Sequence, residues 1–195
     1  MNNFFLNLSF SWTLSKMLAY ILFFLLGIAL FFYFKSKFKT RLKKGLFSLI
    51  IVFPFAIYFI FSPIYEGDFS NNFRKLSNSS SDKFQPEELT VIAIPNCPFC
   101  SESIQRLNKL VERTDVDRIN FIVITDDPES LDSYKEKASK KIIVTSVPDF
   151  DRFAEVTSGR YPTFVYADSP DLYVWSNDGF GVRALDWIEN EIEKE

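Results

Sequence analysis

Two long runs of apolar residues come first along the chain, and their lengths predict membrane-spanning helices. Met17–Phe34 contains no charged side chain over 18 positions, which as a helix measures about 27 Å, close to the roughly 30 Å hydrocarbon core of a bilayer. A second uncharged run, Gly45–Tyr65, contains Pro54, which predicts a kink rather than the end of a helix. The pattern therefore predicts a two-helix transmembrane hairpin over residues 1–65, with spans at about 17–34 and 45–65.

Basic residues between the two runs predict the orientation of this hairpin. Residues 1–65 carry seven Lys/Arg and no Asp/Glu, and six of those cations lie in the loop 35–44. Short basic loops stay cytoplasmic, so both termini are predicted on the periplasmic or extracytoplasmic side of a two-pass cell-membrane protein. A cleaved signal peptide is the alternative for the first run, but no basic cluster precedes it and no small-residue cleavage site follows it. Neither run contains Cys or an ionisable residue, so the hairpin is interpreted as an anchor.

After the hairpin the pattern changes to a polar stretch and then to alternating short strands and amphipathic helices. Residues 66–88 are Ser/Asn-rich without periodicity, which predicts a flexible linker. The order of apolar segments after it predicts an α/β domain over residues 89–195. The predicted strands are Leu89–Ile94, Ile119–Thr125, Lys141–Ser146, Thr163–Ala167 and Leu172–Ser176, and the predicted helices are Pro98–Arg113, Pro128–Lys140, Pro148–Thr157 and Arg183–Lys194.

Composition then removes most kinds of active site. The 195 residues include no His and only two Cys, which excludes Ser-His-Asp and Cys-His catalysis, His-ligated metals and a four-ligand structural zinc site. Residues 66–195 carry 15 Lys/Arg against 25 Asp/Glu, a net charge of −10 that would repel a phosphate backbone. Nucleic acid is therefore not an expected partner. Thiol–disulfide exchange is one of the few chemistries that needs none of the missing groups.

The two cysteines form one motif, Cys97-Pro98-Phe99-Cys100, where a predicted strand ends and a predicted helix begins. A helix N-terminus stabilises a thiolate, so Cys97 is predicted to be the nucleophile and Cys100 the thiol that resolves a mixed disulfide. A purely structural disulfide is disfavoured because so short a loop adds little stability. A pair of inert buried thiols and a Cu(I) site made of two thiolates are the other interpretations of the motif.

With this motif in place the chain resembles the thioredoxin superfamily over residues 89–195. A second motif, Arg160-Tyr161-Pro162-Thr163-Phe164, follows the Cys pair by about 65 residues, where that superfamily has its cis-proline. The resemblance implies a thioredoxin-like fold, with a central mixed sheet flanked by helices, and a cis Pro162 facing the disulfide. It also implies that the backbone of Tyr161 pairs with an extended substrate. The extra helix and strand at 128–146 and the position of Gly181 resemble the membrane-anchored TlpA/ResA-like branch.

Several positions depart from the usual thioredoxin pattern. Asn96 stands where a Trp usually precedes the first Cys, and Val91 stands where a buried Asp is usual. The central dipeptide Pro98-Phe99 resembles that of glutaredoxins more than that of thioredoxins. Glu102 is expected in the first helical turn, where its charge would oppose a thiolate. The resemblance therefore implies redox activity, but it does not imply whether the protein reduces or oxidises its substrates or how strongly.

The resulting prediction is a membrane-tethered thiol–disulfide oxidoreductase acting on exported proteins, as a reductase by analogy. The predicted catalytic residues are Cys97, Cys100 and Pro162, and the predicted substrate-binding residues are Tyr161, Pro98 and Phe99. No cofactor or metal is expected beyond the redox-active disulfide, and the expected partners are protein thiols or disulfides and a membrane electron donor. A thiolate Cu(I)-binding module and a non-enzymatic thioredoxin-like binding module are the alternatives.

Overall fold

The chain folds into two compact units, Met1–Tyr65 and Glu66–Glu195, in a computed structural model. The structure describes residues 2–35, 49–77, 84–114 and 116–192. The predicted basic loop 35–44 lies outside these residues apart from Lys35, which ends a helix. The predicted cytoplasmic position of that loop therefore stays a prediction.

The N-terminal unit consists, in its described part, of helices α1 (Asn2–Leu6), α2 (Trp12–Lys35) and α3 (Leu49–Phe61). Within α2, residues 12–34 are long and apolar enough to cross a membrane, a criterion of length and composition that a signal sequence near the N-terminus also meets. Helix α3 has 13 residues, about 20 Å, and is shorter than a full span, although Pro54 lies inside it without ending it. Of the two predicted spans, only the first is long enough to cross a membrane within the described residues.

Helices α2 and α3 form a packed antiparallel pair. The ammonium group of Lys16, near the start of α2, donates a hydrogen bond of 2.9 Å to the carbonyl of Pro63, just after the end of α3. Farther along α2, Gly27 lies so close to the backbone of Ile51 that a Cβ would not fit between them. Small residues permit this kind of close helix approach, which is common between membrane helices.

The C-terminal unit is built on one six-stranded mixed sheet. Its strands are β1 (Arg74–Ser77), β2 (Leu89–Ala93), β3 (Ile119–Ile124), β4 (Ile142–Val147), β5 (Thr163–Asp168) and β6 (Asp171–Ser176), in the spatial order β1-β6-β5-β2-β3-β4. Strands β2, β3 and β4 are parallel, whereas β5 is antiparallel to β2, β6 to β5 and β1 to β6. The fold is thioredoxin-like, and the mixed sheet predicted from the sequence is confirmed.

Helices flank this sheet and bury its side chains. They are α4 (Pro98–Arg113), α5 (Asp132–Lys135), α6 (Asp151–Thr157) and α7 (Val182–Ile192), together with short 3-10 helices at Glu66–Asp68 and Pro128–Leu131. Because successive side chains of a strand point to opposite faces, Val165 joins the cluster around Phe153 of α6 while its neighbour Phe164 stacks on Phe180 at 3.6 Å. Every residue of β2 is buried, as expected of a central strand covered on both faces.

The flexible linker predicted over residues 66–88 is wrong for its first half. Strand β1 pairs with β6 over four residues, and the ring of Phe73 contacts Tyr173, Trp175 and Trp187 at 5.0–6.1 Å between centroids. The prediction relied on the average polarity of this stretch, but two apolar residues within it, Phe73 and Leu76, pack on the domain. The folded unit therefore begins near Glu66 rather than Leu89, and residues 78–83 lie outside the described part.

A close contact between backbones attaches the start of this unit. A Cβ at Gly67 would meet the carbonyl oxygen of Gly179 at 2.5 Å and the backbone nitrogen of Gly181 at 2.7 Å. Next to them, the carboxylate of Asp68, only 4% exposed, accepts a 3.3 Å hydrogen bond from the backbone of Val182, the first residue of α7. Glycine is required at these positions because no side chain larger than a hydrogen atom fits between the two backbone segments.

The predicted helix Pro128–Lys140 is replaced by a 3-10 helix and the four-residue α5. The helical segment ends where the side chain of Asn108, on α4, forms hydrogen bonds with two of its backbone groups. Its amide donates to the carbonyl of Lys137 at 2.8 Å and accepts from the N–H of Ser139 at 2.9 Å. The segment that ends at Lys140 is thereby attached to α4, the helix that begins at the Cys motif.

Candidate active site

The Cys motif lies at the junction of β2 and α4. Strand β2 ends at Ala93, and Cys97 is the N-cap of α4 with extended backbone angles of φ −85° and ψ 113°. Asn96 turns the chain into the helix with φ 55°, a left-handed conformation that asparagine tolerates better than most residues. Pro98 occupies the first turn, where its missing N–H leaves no hydrogen bond unmade.

The two cysteines form a disulfide with their Cα atoms 5.2 Å apart. The Sγ atom of Cys97 accepts a hydrogen bond from the backbone N–H of Cys100 at 3.1 Å. Cys97 is 9% exposed whereas Cys100 is completely buried, so Cys97 is the more exposed of the two cysteines. A reacting partner would therefore meet Cys97 first.

The electrostatic surroundings of Cys97 favour a thiolate. The helix N-terminus brings partial positive charge to its Sγ atom, and the Cys100 N–H is already directed at it. The first turn of α4 contains no acidic residue, so Glu102 lies beyond it, contrary to the sequence prediction. The ammonium group of Lys137 donates to the hydroxyl of Ser101 at 2.5 Å and adds a cation near this end of the helix.

Tyr134, on α5, supports the loop that carries Cys97. Its hydroxyl donates to the carbonyl of Ile94 at 2.8 Å and accepts from the backbone N–H of Cys97 at 3.3 Å. The side chain is 1% exposed, and its ring lies 5.3 Å from that of Phe121. Burial raises the pKa of the Tyr134 hydroxyl above its ordinary value, against the smaller, lowering effect of the hydrogen bond from Cys97. Sequence reasoning missed this residue, whose only signal was an aromatic side chain in a charged segment.

Replacing Tyr134 by Phe is expected to destabilise the domain by about 1–3 kcal/mol, because it leaves the buried N–H of Cys97 and the half-buried carbonyl of Ile94 without their partner. Urea denaturation of the two proteins at neutral pH measures this difference. The neighbouring Lys135→Ala variant, altered on the exposed part of the same helix, is the matched control and should change stability by less than about 0.5 kcal/mol.

The effect of Tyr134→Phe should also depend on pH in one direction. A tyrosine whose folded pKa is raised stabilises the protein fully below its unfolded pKa of about 10. Above that pH the unfolded chain loses the proton first, so the stabilising contribution falls as the pH rises towards the folded pKa. The stability difference between wild type and variant should therefore shrink above about pH 10, and a constant difference would contradict the buried hydroxyl as its cause.

The predicted cis-proline lies at the same end of the sheet as the Cys motif. Thr163, the first residue of β5, pairs with Ile92 near the end of β2, so the chain segments that contain Pro162 and Cys97 both leave the sheet at that end. The peptide bond between Tyr161 and Pro162 is cis. The Tyr161 ring is half-buried, with its centroid 6.3 Å from that of the exposed Phe150.

The structure also gives the positions of the other predicted substrate-binding residues and of a residue that departs from the thioredoxin pattern. Pro98 and Phe99 are exposed, Phe99 by 56%, on the first turn of α4 directly between the two cysteines. Val91 is completely buried in β2, so this position supplies apolar packing where a thioredoxin has a carboxylate. Among the described residues no group of three or more His, Cys, Asp or Glu side chains is arranged to bind a metal ion.

Comparisons with known proteins give one structural likeness. No protein-family model matches the chain, and no curated protein matches it. A crystal structure of a thioredoxin-like protein from Bacteroides caccae is similar to it, with 13% sequence identity and a TM-score of 0.37. The match covers 71% of this chain and 61% of that protein, so the chain spans less than two thirds of the relative's length. The thioredoxin-like assignment therefore rests on the strand order and directions described above.

Proposed function

We propose that this protein is a membrane-tethered thiol–disulfide oxidoreductase that exchanges its Cys97–Cys100 disulfide with exported proteins. The observation that carries the proposal is the disulfide at the N-terminus of α4, in which Cys97 is the more exposed cysteine and its sulfur accepts a hydrogen bond from the N–H of Cys100. This arrangement stabilises a thiolate at the atom that a substrate can reach. The thioredoxin-like fold supplies the rigid strand–helix junction that keeps it there.

In the reducing direction two exchange steps balance the reaction. The Cys97 thiolate attacks one sulfur of the substrate disulfide, which forms a mixed disulfide and releases the other substrate sulfur as a thiolate that takes up a proton. Cys100 then loses its proton and attacks Cys97, which forms the intramolecular disulfide and releases the second substrate thiol. The substrate gains two electrons and two protons, and the Cys pair loses them.

Substrate binding is assigned to the end of the sheet beside the disulfide. The backbone of Tyr161, before Pro162, would pair with an extended segment of the substrate, as the thioredoxin resemblance implies. Pro98 and Phe99 are exposed next to the cysteines and would contact apolar side chains of that segment. An extended polypeptide fits because pairing between backbone groups does not depend on the substrate's sequence.

The direction proposed is reduction, with a membrane protein as electron donor. Most anchored TlpA/ResA-like proteins reduce, and the inserted segment at 128–146 resembles theirs; both points are analogy. Residues 1–65 contain no Cys, so a separate donor is required to return electrons to the Cys97–Cys100 disulfide. No further cofactor or metal is proposed.

The location proposed is the cell membrane, with the domain on the periplasmic or extracytoplasmic side. Helix α2 is apolar over a bilayer's thickness, and the basic loop before α3 favours a cytoplasmic position for that loop. Protease added outside spheroplasts should digest the C-terminal unit. Digestion only after lysis would contradict the proposed side.

Thiol transfer to a protein disulfide tests the proposed activity. The reduced C-terminal unit, residues 66–195, is mixed with insulin, and the loss of its two free thiols is followed by alkylation. We expect one insulin disulfide to be reduced for each Cys pair oxidised. If the thiols stay reduced but bind Cu(I) tightly, the copper-binding alternative replaces the proposal, and if neither occurs, the non-enzymatic binding module does.

A further inference from the structure

The two edge strands of the sheet differ in how they are protected. Strand β1, at one edge, has four residues and contains Arg74 and Lys75, a short charged edge of the kind that avoids pairing with other chains. Strand β4, at the other edge, has six residues, Ile142–Val147, without charge, glycine or proline. Most of them are β-branched, and Ile143 is 44% exposed. Within its own six residues, strand β4 therefore lacks the charges and the short length that protect β1.

The backbone pattern identifies which groups of β4 face outward. The carbonyls of Lys141 and Val147 accept hydrogen bonds from β3 and from the residue that follows it, at 2.9 and 3.1 Å. Since alternate residues of a strand point their backbone groups to opposite sides, the odd-numbered residues of β4 face β3 and the even-numbered ones face away. The N–H of Ile142 is used by the carbonyl of Ser139 at 3.0 Å. The outward pairing groups are thus mainly those of Val144 and Ser146.

The charges at the two ends of β4 are complementary to each other. Lys140 and Lys141 precede the strand, and Asp149 follows it after Pro148. If two copies of β4 lie antiparallel, the basic end of each meets the acidic end of the other. We propose that β4 binds a second copy of this chain as an antiparallel strand, which joins two sheets edge to edge.

Register follows from the outward groups and the charges together. Pairing Val144 of each copy with Ser146 of the other forms four backbone hydrogen bonds and places Lys141 opposite Asp149. Pro148 then lies opposite Ile142; proline has no N–H to donate and the N–H of Ile142 is already used, so this pair adds no hydrogen bond to the four. The two copies of Thr145 face each other on the symmetry axis. A shift that pairs Val144 with itself makes as many hydrogen bonds but places Lys141 opposite the apolar Val147.

Covalent trapping tests this register, because so small an interface binds weakly. The full-length protein carries Cys97→Ser and Cys100→Ser, so that the result does not depend on the proposed redox function, and then Thr145→Cys. Facing residues of a non-hydrogen-bonded pair have Cα atoms about 4.5 Å apart, within disulfide range. Ile143→Cys is the control: it is also exposed, but its two copies would lie about 14 Å apart along the strand.

Under mild oxidation we expect the Thr145→Cys chain to form a disulfide-linked dimer about tenfold more than the Ile143→Cys chain. Adding Lys141→Asp should reduce the dimer about threefold, since it places two carboxylates opposite each other, and adding Asp149→Lys as well should restore it. Equal cross-linking of both cysteine variants would overturn the proposal. So would preferential cross-linking of Val144→Cys, or a cross-link from the Thr145→Cys chain to a protein of another mass.

Discussion

Replacing Cys97 by Ser should abolish reduction of a protein disulfide, lowering the rate by about three orders of magnitude or more. Cys97 is the more exposed sulfur and the one at the helix N-terminus, whereas Cys100 is completely buried. Serine has nearly the same shape, but its hydroxyl cannot form the mixed disulfide. The rate of insulin reduction by the variant and by wild type, each supplied with the same dithiol, measures the loss.

The matched control is Cys100→Ser, which removes the other sulfur and leaves the nucleophile. It should still attack a substrate, but the mixed disulfide with Cys97 should accumulate because no second thiol resolves it. A stable adduct with the mass of protein plus substrate is therefore expected for Cys100→Ser and not for Cys97→Ser. Adduct formation by the opposite variant would show that the roles of the two cysteines are reversed.

Removing residues 66–83 should destabilise the domain by about 3 kcal/mol or more, although these residues lie far from the Cys pair in sequence. The deletion removes the four residue pairs of β1 with β6 and the contacts of Phe73 with three aromatic rings. It also leaves the buried indole N–H of Trp175 without the side chain of Asn71, now 2.8 Å away. Urea denaturation of pieces that begin at Glu66 and at Phe84 measures the loss.

A third piece, beginning at Ser70, separates the two parts of this attachment. It keeps β1, Asn71 and Phe73 but loses Gly67 and the buried carboxylate of Asp68, so it should have an intermediate stability. Equal urea midpoints for all three pieces would contradict the structure and support the flexible linker that composition alone predicts.

Segments with a strong local signal could be predicted from the sequence almost to the residue. Helix α4 has the predicted bounds because Pro98 fits its first turn and its apolar residues recur with helical spacing up to Arg113. Strand β3 was recognisable from a nearly continuous apolar run, the pattern of a central strand covered on both faces. The Cys motif could be placed at a strand–helix junction for the same reason, whereas the role of Pro162 was predicted only from the resemblance to thioredoxins.

Features that depend on distant partners could not be predicted in this way. Strand β1 is four residues long and pairs with β6, so that Arg74 faces Val174, a partner far along the chain that no local pattern indicates. Tyr134 lies in a segment whose charge pattern predicts a longer helix, and its contacts with Ile94 and Cys97 arise only when that segment folds against the Cys motif. In both cases tertiary contacts overrode the local preference.

The reduction potential of the Cys97–Cys100 pair tests the central claim most directly. The piece 66–195 would be equilibrated in thiol–disulfide buffers, and the fraction of reduced cysteines read by alkylation. A reversible two-electron transition near about −270 mV, the value of thioredoxin, is the result expected for a reductase. A transition near about −120 mV, the value of the oxidant DsbA, would contradict the proposed direction, and a Cys pair that never cycles would contradict the oxidoreductase itself.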